Sequence, residues 1–575
     1  MKDLSCVKYY RYDELTDILK QYAAAYPHIV KMESIGRSYE GRDIWALTVT
    51  NSATGSDLEK PAYYIDGGIH SFEVSTTNTV LYILHYLVEN YGKDSQVTDA
   101  LDTRVIYMVP RVNNDGSELT LADNPKLVRS SARPYPDDKD PETGLYEEDI
   151  DGDGRILYMR IKDHNGLWKK HPEYPELMVR RDPIEYGGEY YRVVPEGMIK
   201  NYNGETFDVV SLYGLIDWPC GPWRKERVDI NKNFPRNWMK TVKPGVSSGP
   251  YPTSEPESRA IVEFFVDHPN ISGNLFFHTI GRMCYRPWDD RPDEQMFEED
   301  LRLYKEIGDK ATEFTGYGHV DEYSGFRSLS GIGYPGNSTV WSYAHQGNFS
   351  WLIELWQPAV SSGISRKGKY VHYEWFKNHP VEEDIALYKW AKENFGNESY
   401  IDWYEFDHPQ LGKVELGGWD WMFTWLNPPI KCLEEEIKGF PKWVVWNTLI
   451  TPKIALRNSY VENLGADNYL VRFVVENTGY LPSYVTKQAV SMGCRGVLAD
   501  IELPEGAILL SGTERVDMGQ LEGRAYKDAM MSARQGETDD RAMAEWIIHA
   551  PNKGAVNIVA THKRAGVVRA ALELK

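Results

Sequence analysis

Cysteine is scarce. The 575 residues contain five (Cys6, Cys220, Cys284, Cys432 and Cys494). They are odd in number, far apart and without a CxxC pair, which argues against a disulfide framework and against a thiolate zinc site. Long apolar runs are missing too: none approaches the ~18–20 residues that cross a bilayer, so no transmembrane segment is expected. The opening MKDLSCVKYYRYDEL lacks the basic, apolar, small-residue order of an export signal. The expectation is a soluble chain, cytoplasmic as it stands, or secreted or periplasmic if a signal once preceded it, with no amino-terminal pro-segment. Positive charge is in deficit: 64 Lys and Arg against 85 Asp and Glu give a net −21. Such a surface repels phosphate backbones, so no nucleic-acid partner is expected. Internal repeats, low-complexity tracts and a GxSxG serine elbow are all lacking. A GxGxxG match at Gly331–Gly336 has no β-run before it and carries Pro335 inside the would-be cradle, which excludes a dinucleotide site. Oligomeric state is not readable.

What the chain does have is 42% hydrophobic and 13% aromatic residues, the composition of a folded protein. At roughly 150 residues per domain it has room for two to four domains. Asp13 followed by Leu15, Ile18, Leu19 and Tyr22 predicts a helix over 13–25. Strands are predicted at 29–35, 43–50, 62–66, 104–109, 272–278 and 349–356, and helices at 74–91, 255–267 and 294–315. This alternation argues for an α/β sheet with helices on its faces. Residues 119–225 interrupt it with Pro, Gly, Tyr and charge, and read as an insertion without a large core of its own. The catalytic unit is expected at 1–397. A Trp- and Pro-rich segment, 398–449, is expected to pack as a connector, and short alternating runs such as Tyr469–Val475 predict a β-sandwich over 450–575.

His70 and Glu73 form an HxxE pair just after Gly67-Gly68, at the carboxyl end of a predicted strand, where open α/β sheets present ligands. Imidazole and carboxylate both suit zinc. A second HxxE, His379 with Glu382, lies in a proline-bearing, surface-like segment and shows how weak the pair is alone. His278 ends another predicted strand and converges on the first pair if the strands are neighbours; otherwise it is a core histidine. Three ligands leave one zinc position open, the mark of a catalytic site. Glu354 sits in the otherwise apolar Phe349–Trp356 run, where a carboxylate is costly unless paired or functional. It is a candidate general base, or else a salt-bridged edge residue. Asp149, Asp151 and Asp153, closed by Gly154, suit calcium. Arg160 stands where an EF-hand needs Glu, so the expectation is a single calcium-type loop or a solvated acidic turn.

Taken in order, the motifs Gly67–Glu73, Val109–Gly116, Val228–Phe234, Gly249–Pro252 leading into Ser254–Glu257, Phe277-His278-Thr279 and Phe349–Leu355 resemble a zinc carboxypeptidase of the carboxypeptidase A family, peptidase family M14. The likeness covers residues about 8–395. It implies a three-layer α/β/α sandwich with a mixed sheet, here followed by an all-β sandwich. It implies zinc held by His70, Glu73 and His278, and a base at Glu354. It also implies an oxyanion-stabilising arginine, for which Arg129 fits best with Arg133 and Arg224 as rivals, and a mobile tyrosine over the substrate, for which Tyr334 fits if its loop is two residues shorter. Thr339 stands where the pocket floor is expected. The family usually has Asn-Arg where this chain has Asn231-Lys232. Lysine offers a point charge in place of a planar fork, with Arg227 as a helper.

The expected function is therefore a zinc metallocarboxypeptidase hydrolysing the C-terminal amide bond of peptides, with peptide substrates as its partners. An enzyme on modified, isopeptide or cell-wall-type amides is the alternative that Lys232 would permit. A peptide- or glycan-binding protein on a degenerate peptidase fold is the non-enzyme alternative.

Overall fold

The computed structural model describes residues 2–133, 144–202, 204, 228–240, 242–243, 246–325, 334–364, 375, 379–526 and 539–575. Eight strands form the main sheet: β1 (Val30–Arg37), β2 (Asp43–Val49), β3 (Ala62–Asp66), β4 (Val105–Val109), β5 (Ile271–Thr279), β6 (Met283–Arg286), β7 (Gly318–Asp321) and β8 (Phe349–Leu355). Their order is β1-β2-β4-β3-β5-β8-β6-β7. The four in the middle, β4, β3, β5 and β8, run parallel. Antiparallel pairings of β1 with β2, β2 with β4, and β6 with β8 make the sheet mixed.

Central strands β3, β4, β5 and β8 are buried along their whole length, as expected where helices cover both faces. Alternate residues go to opposite sides. Tyr63 and Ile65, Ile106 and Met108, and Leu275 and Phe277 join the core beneath helices α1 (Tyr12–Ala25), α2 (Val74–Asn90), α3 (Ser95–Thr103) and α5 (Glu298–Thr315). Tyr64, Tyr107 and Phe276 face the other way, against Phe264 and Phe265 of α4 (Pro256–Asp267). These are the helices on the sheet's faces that the alternation implied, and the three layers that the resemblance implied. At the start of α1, Glu14 accepts the Arg11 N–H at 3.2 Å.

The connector does more than pack between two units: part of it completes the insertion. Strands Tyr400–His408 and Gly412–Trp419 form a hairpin that continues through Tyr158–Lys162 and Tyr191–Pro195 to Trp168–Lys170 and Met178–Arg180, giving one six-stranded sheet. Val414 and Leu416 of the hairpin share a small core with Leu145, Met159, Val194 and Ile199. Arg160 bonds Glu415 across the seam through both carboxylate oxygens, at 2.8 Å each. The insertion thus has a core, completed by chain that lies far downstream. The rest of the connector, α6 (Ile430–Ile437) and α7 (Phe440–Ile450), lays Leu433, Ile437, Phe440 and Trp443 on the main core.

Beyond residue 453, two four-stranded antiparallel sheets face each other. Tyr469, Val471, Phe473, Val475 and Trp546 from one meet Ala499, Ile501, Ile558 and Ala560 from the other. This is the β-sandwich. It is bolted to the main unit: the Arg564 guanidinium donates to Gly347 O at 2.8 Å, and Lys487 N donates to Asp300 at 2.7 Å.

One buried acid gives the fold a pH signature. Glu257, in the first turn of α4, is buried with Oε2 lacking a hydrogen-bond partner. Burial, then the nearby Glu255 and Asp115, push its carboxyl from 4.5 up to about 8. The folded chain holds this proton where the unfolded chain has released it, so this group's contribution to stability falls as pH rises from 4.5 towards 8, by at most about 1.4 kcal/mol per pH unit. Glu257→Gln is expected to match the parent's melting temperature near pH 5 and exceed it at pH 8. Parallel melting curves across that range would remove Glu257 as the cause.

Candidate metal centre

His70 and Glu73 come from the loop between β3 and α2. Gly68 turns this loop at φ +66°, where an added Cβ would lie 3.1 Å from Arg111 Cγ and 3.2 Å from Thr77 Oγ1. Only glycine accepts both the left-handed backbone and the crowding. Gly68 N–H donates to Thr76 Oγ1 at 2.8 Å, fixing the loop on the first turn of α2, with Glu73 immediately before that helix. His278 lies near the end of β5, which pairs with β3 on one side and β8 on the other. It stands in register with Glu354 of β8, so the two side chains leave the sheet on the same face.

The donor atoms converge. His70 Nδ1 is 2.8 Å from Glu73 Oε1 and 3.0 Å from His278 Nδ1, and His278 Nδ1 is 3.2 Å from Glu73 Oε2. All three residues are buried, and their ligand atoms lie within 4.8 Å of one another. Two nitrogens and a carboxylate, buried and crowded around one point, form a donor set that fits zinc.

Asp229 stands behind His70, its Oδ1 3.2 Å from Nε2, the outer-shell contact that fixes a ligating ring's orientation. Sequence reasoning gave this residue no role. Its signal was there: an acid flanked by apolar Val228 and Ile230 just ahead of Asn231. Burial and Arg129 push His70 down, but Glu73 and Asp229 outweigh them and leave it raised. Asp229 is buried, yet Arg129 and His70 hold it well below the usual carboxylate range. Glu354 goes the other way. Burial and the Glu73 charge raise it far above the ordinary value, and its Oε2 has no hydrogen-bond partner.

Arg129 reaches the centre, with Nε 3.2 Å from Asp229 Oδ2 and Nη1 3.4 Å from Glu73 Oε1. Its carbonyl accepts Ser71 N–H at 3.2 Å, tying it to the ligand loop. Its rival Arg133 is instead paired with Glu255, Nε to Oε2 at 3.0 Å. Arg224, Arg227, Cys220 and Gly331–Gly333 lie outside the described residues. Asn231 Oδ1 accepts from Ser338 N at 2.9 Å and Ser338 Oγ at 2.7 Å. Lys232 Nζ lies 5.3 Å from the centre of the Tyr334 ring. Gly336, at φ +80°, brings that tyrosine's loop so close that a Cβ there would sit 2.2 Å from Lys232 O.

The second acidic group is separate. Asp149, Asp151 and Asp153 also place ligand atoms within 4.8 Å of one another, Asp149 buried and the other two exposed. Asp149 accepts Gly152 and Gly154 N–H groups at 2.7 and 2.8 Å. His379 is not part of a comparable cluster. It bonds Trp375 O at 2.7 Å and Asp384 at 2.9 Å, and among the described residues these two acidic or mixed groups are the ones able to hold a metal.

A model of the family described as zinc carboxypeptidase matches residues 15–152 and 200–370, more than half of the chain. The chain belongs to the zinc carboxypeptidase family. The unmatched gap, 153–199, holds four of the six strands of the insertion's sheet. Residues 453–573 match a domain of unknown function (DUF8731). Carboxypeptidase B of Astacus astacus is 36% identical over 290 residues, covering 50% of this chain and 67% of that protein. Carboxypeptidase D of Rattus norvegicus is 34% identical over 116 residues, 20% of this chain and only 8% of that protein's length. Among solved structures, thrombin activatable fibrinolysis inhibitor is similar at 18% identity and a TM-score of 0.40, covering 68% of this chain and 76% of that one. Among the described residues, no helix is long and apolar enough to cross a membrane.

Proposed function

We propose that this zinc carboxypeptidase family member is an active metallocarboxypeptidase that hydrolyses the C-terminal amide bond of peptides. The observation that carries the reading is the convergence of His70, Glu73 and His278 with an unpaired buried carboxylate, Glu354, in register beside them. Zinc held by those three residues would supply a Lewis acid and a water of pKa near 7. Glu354, raised by burial, accepts a proton from the attacking water and returns it to the leaving amine nitrogen. Arg129 donates to the developing oxyanion, a contact typically worth ~3–4 kcal/mol in the transition state. Asn231 and Lys232 hold the substrate's terminal carboxylate, and the Tyr334 ring beside Lys232 covers it. A binding protein on a degenerate fold is not favoured, because each of the four central residues is present and together.

The test is mass spectrometry of a mixed peptide set, with free and with amidated C-termini, incubated with zinc-loaded protein. Loss of single residues from free ends alone is the expected result. Equal cleavage of amidated ends would move the reading to a modified-amide hydrolase.

We further propose a calcium ion at Asp149, Asp151 and Asp153, supported by their clustering. Calcium should raise the melting temperature of the parent but not of Asp151→Asn. No rise in the parent leaves a solvated acidic turn.

A further inference from the structure

Glu73 stands immediately before α2, in the position of a helix cap. A side chain there ordinarily accepts one of the helix's first backbone N–H groups. Glu73 makes no such bond, because its carboxylate is turned to His70 and His278. Two backbone groups beside the ligand must then find partners elsewhere: the Phe72 carbonyl before it and the Ser75 N–H after it. Both residues are buried, where an unbonded backbone group is costly.

One side chain meets both. Asn427, in the connector and 352 residues downstream of Ser75, accepts the Ser75 N–H on Oδ1 at 2.9 Å. Its Nδ2 donates to Phe72 O at 2.8 Å. Among the described residues no other group bonds either of them. Asn427 is itself fully buried and fixed in place. Its Nδ2 also donates to Met422 O at 3.0 Å, and its backbone N–H to the same oxygen at 3.1 Å, folding it onto the turn Trp421–Leu426. Pro428, next in the chain, disfavours helical backbone at Asn427, which is extended at φ −126° and ψ 144°.

The same turn braces the strand that carries Glu354. Thr424 O accepts the Trp356 indole N–H at 2.8 Å. Trp356, two residues beyond Glu354, is held at φ +58°, a left-handed backbone that a bulky residue keeps only where its surroundings impose it. The match to the family's model ends at residue 370, so the turn and Asn427 lie outside it.

We propose that Asn427 is a positioning residue for the zinc ligand Glu73, which makes the connector part of the metal centre. Its amide clamps the chain on both sides of the ligand, so the carboxylate is held ready and less binding free energy goes into ordering the loop. This deepens, and rests on, the reading of His70, Glu73 and His278 as a zinc site.

Metal-free parent, Asn427→Ala and Asn447→Ala would each be titrated with zinc against a chelating dye, well below their melting transitions. Asn447 is a control of the same kind, buried and with Nδ2 donating to Trp443 O at 3.0 Å within α7. Asn427→Ala is expected to bind zinc about 10- to 100-fold more weakly than the parent. Asn447→Ala, which has no part in the ligand loop, should stay within about twofold of the parent. If Asn427→Ala fails to fold, Asn427→Ser replaces it, being polar but too short to bridge Phe72 and Ser75, and is expected to weaken zinc in the same direction. An affinity for the Asn427 variant within about twofold of the parent's, or an equal loss in Asn447→Ala, overturns the positioning role and leaves the zinc site standing. A parent that binds no zinc overturns the zinc site and the role with it.

Discussion

Glu354→Gln is expected to lower kcat/KM on free-ended peptides by about 10²- to 10⁴-fold, with one zinc per chain retained. The substitution keeps the side chain's size and its register beside His278 but removes the group that accepts a proton. Among the described residues Glu354 Oε2 has no hydrogen-bond partner, so the change breaks no ion pair there and should not unfold the strand. Neutral glutamine in a buried, acid-crowded position should if anything leave the fold more stable. Steady-state kinetics with metal analysis of the same preparation separates the outcomes. Near-parental activity would assign the proton transfer to another group, whereas loss of zinc along with activity would make Glu354 a structural neighbour of the ligands.

The second large effect is on metal content. His278→Ala removes one of three ligands, and with it the nitrogen 3.2 Å from Glu73 Oε2, leaving Glu73 facing His70 and Arg129. Zinc is expected to fall from one per chain to a small fraction, activity with it. Any ligand that binds only the folded state stabilises it, by about 2.7 kcal/mol at a hundred times its Kd. A chelator should therefore lower the melting temperature of the parent and leave that of His278→Ala unchanged. An equal drop in both would mean that the stabilising ion sits elsewhere, for instance at Asp149–Asp153.

Much of this centre was legible because each part lies in a short, ordered motif whose neighbours are apolar. His278 stands out as a polar residue at the end of a hydrophobic run, and Glu354 as a lone carboxylate inside one. The missing parts share a physical cause: their meaning depends on partners supplied from far along the chain. Strands β6 and β7 are four residues each and carry Arg286, His319 and Asp321, so neither shows a period; β8, entering beside β6, makes that segment a strand. The hairpin at 400–419 looked like a connector because its partner strand, Tyr158–Lys162, lies in a segment that itself looked irregular. Asn427 escaped notice for the same reason. In sequence it is one polar residue before two prolines, and only the folded connector brings its amide to both sides of Glu73.

The shared sheet of the insertion also sets an order of events at the ribosome. Tyr158–Lys162 gains one neighbour, Tyr191–Pro195, soon after it is made, but its other edge waits for Gly412–Trp419. At about 5–20 residues per second, that wait lasts on the order of ten seconds to a minute. Throughout it, an unpaired strand edge and the apolar side of Met159 and Val194 are open to any other nascent chain. Slow translation between these two points would lengthen the exposure, and truncation before residue 412 would make it permanent.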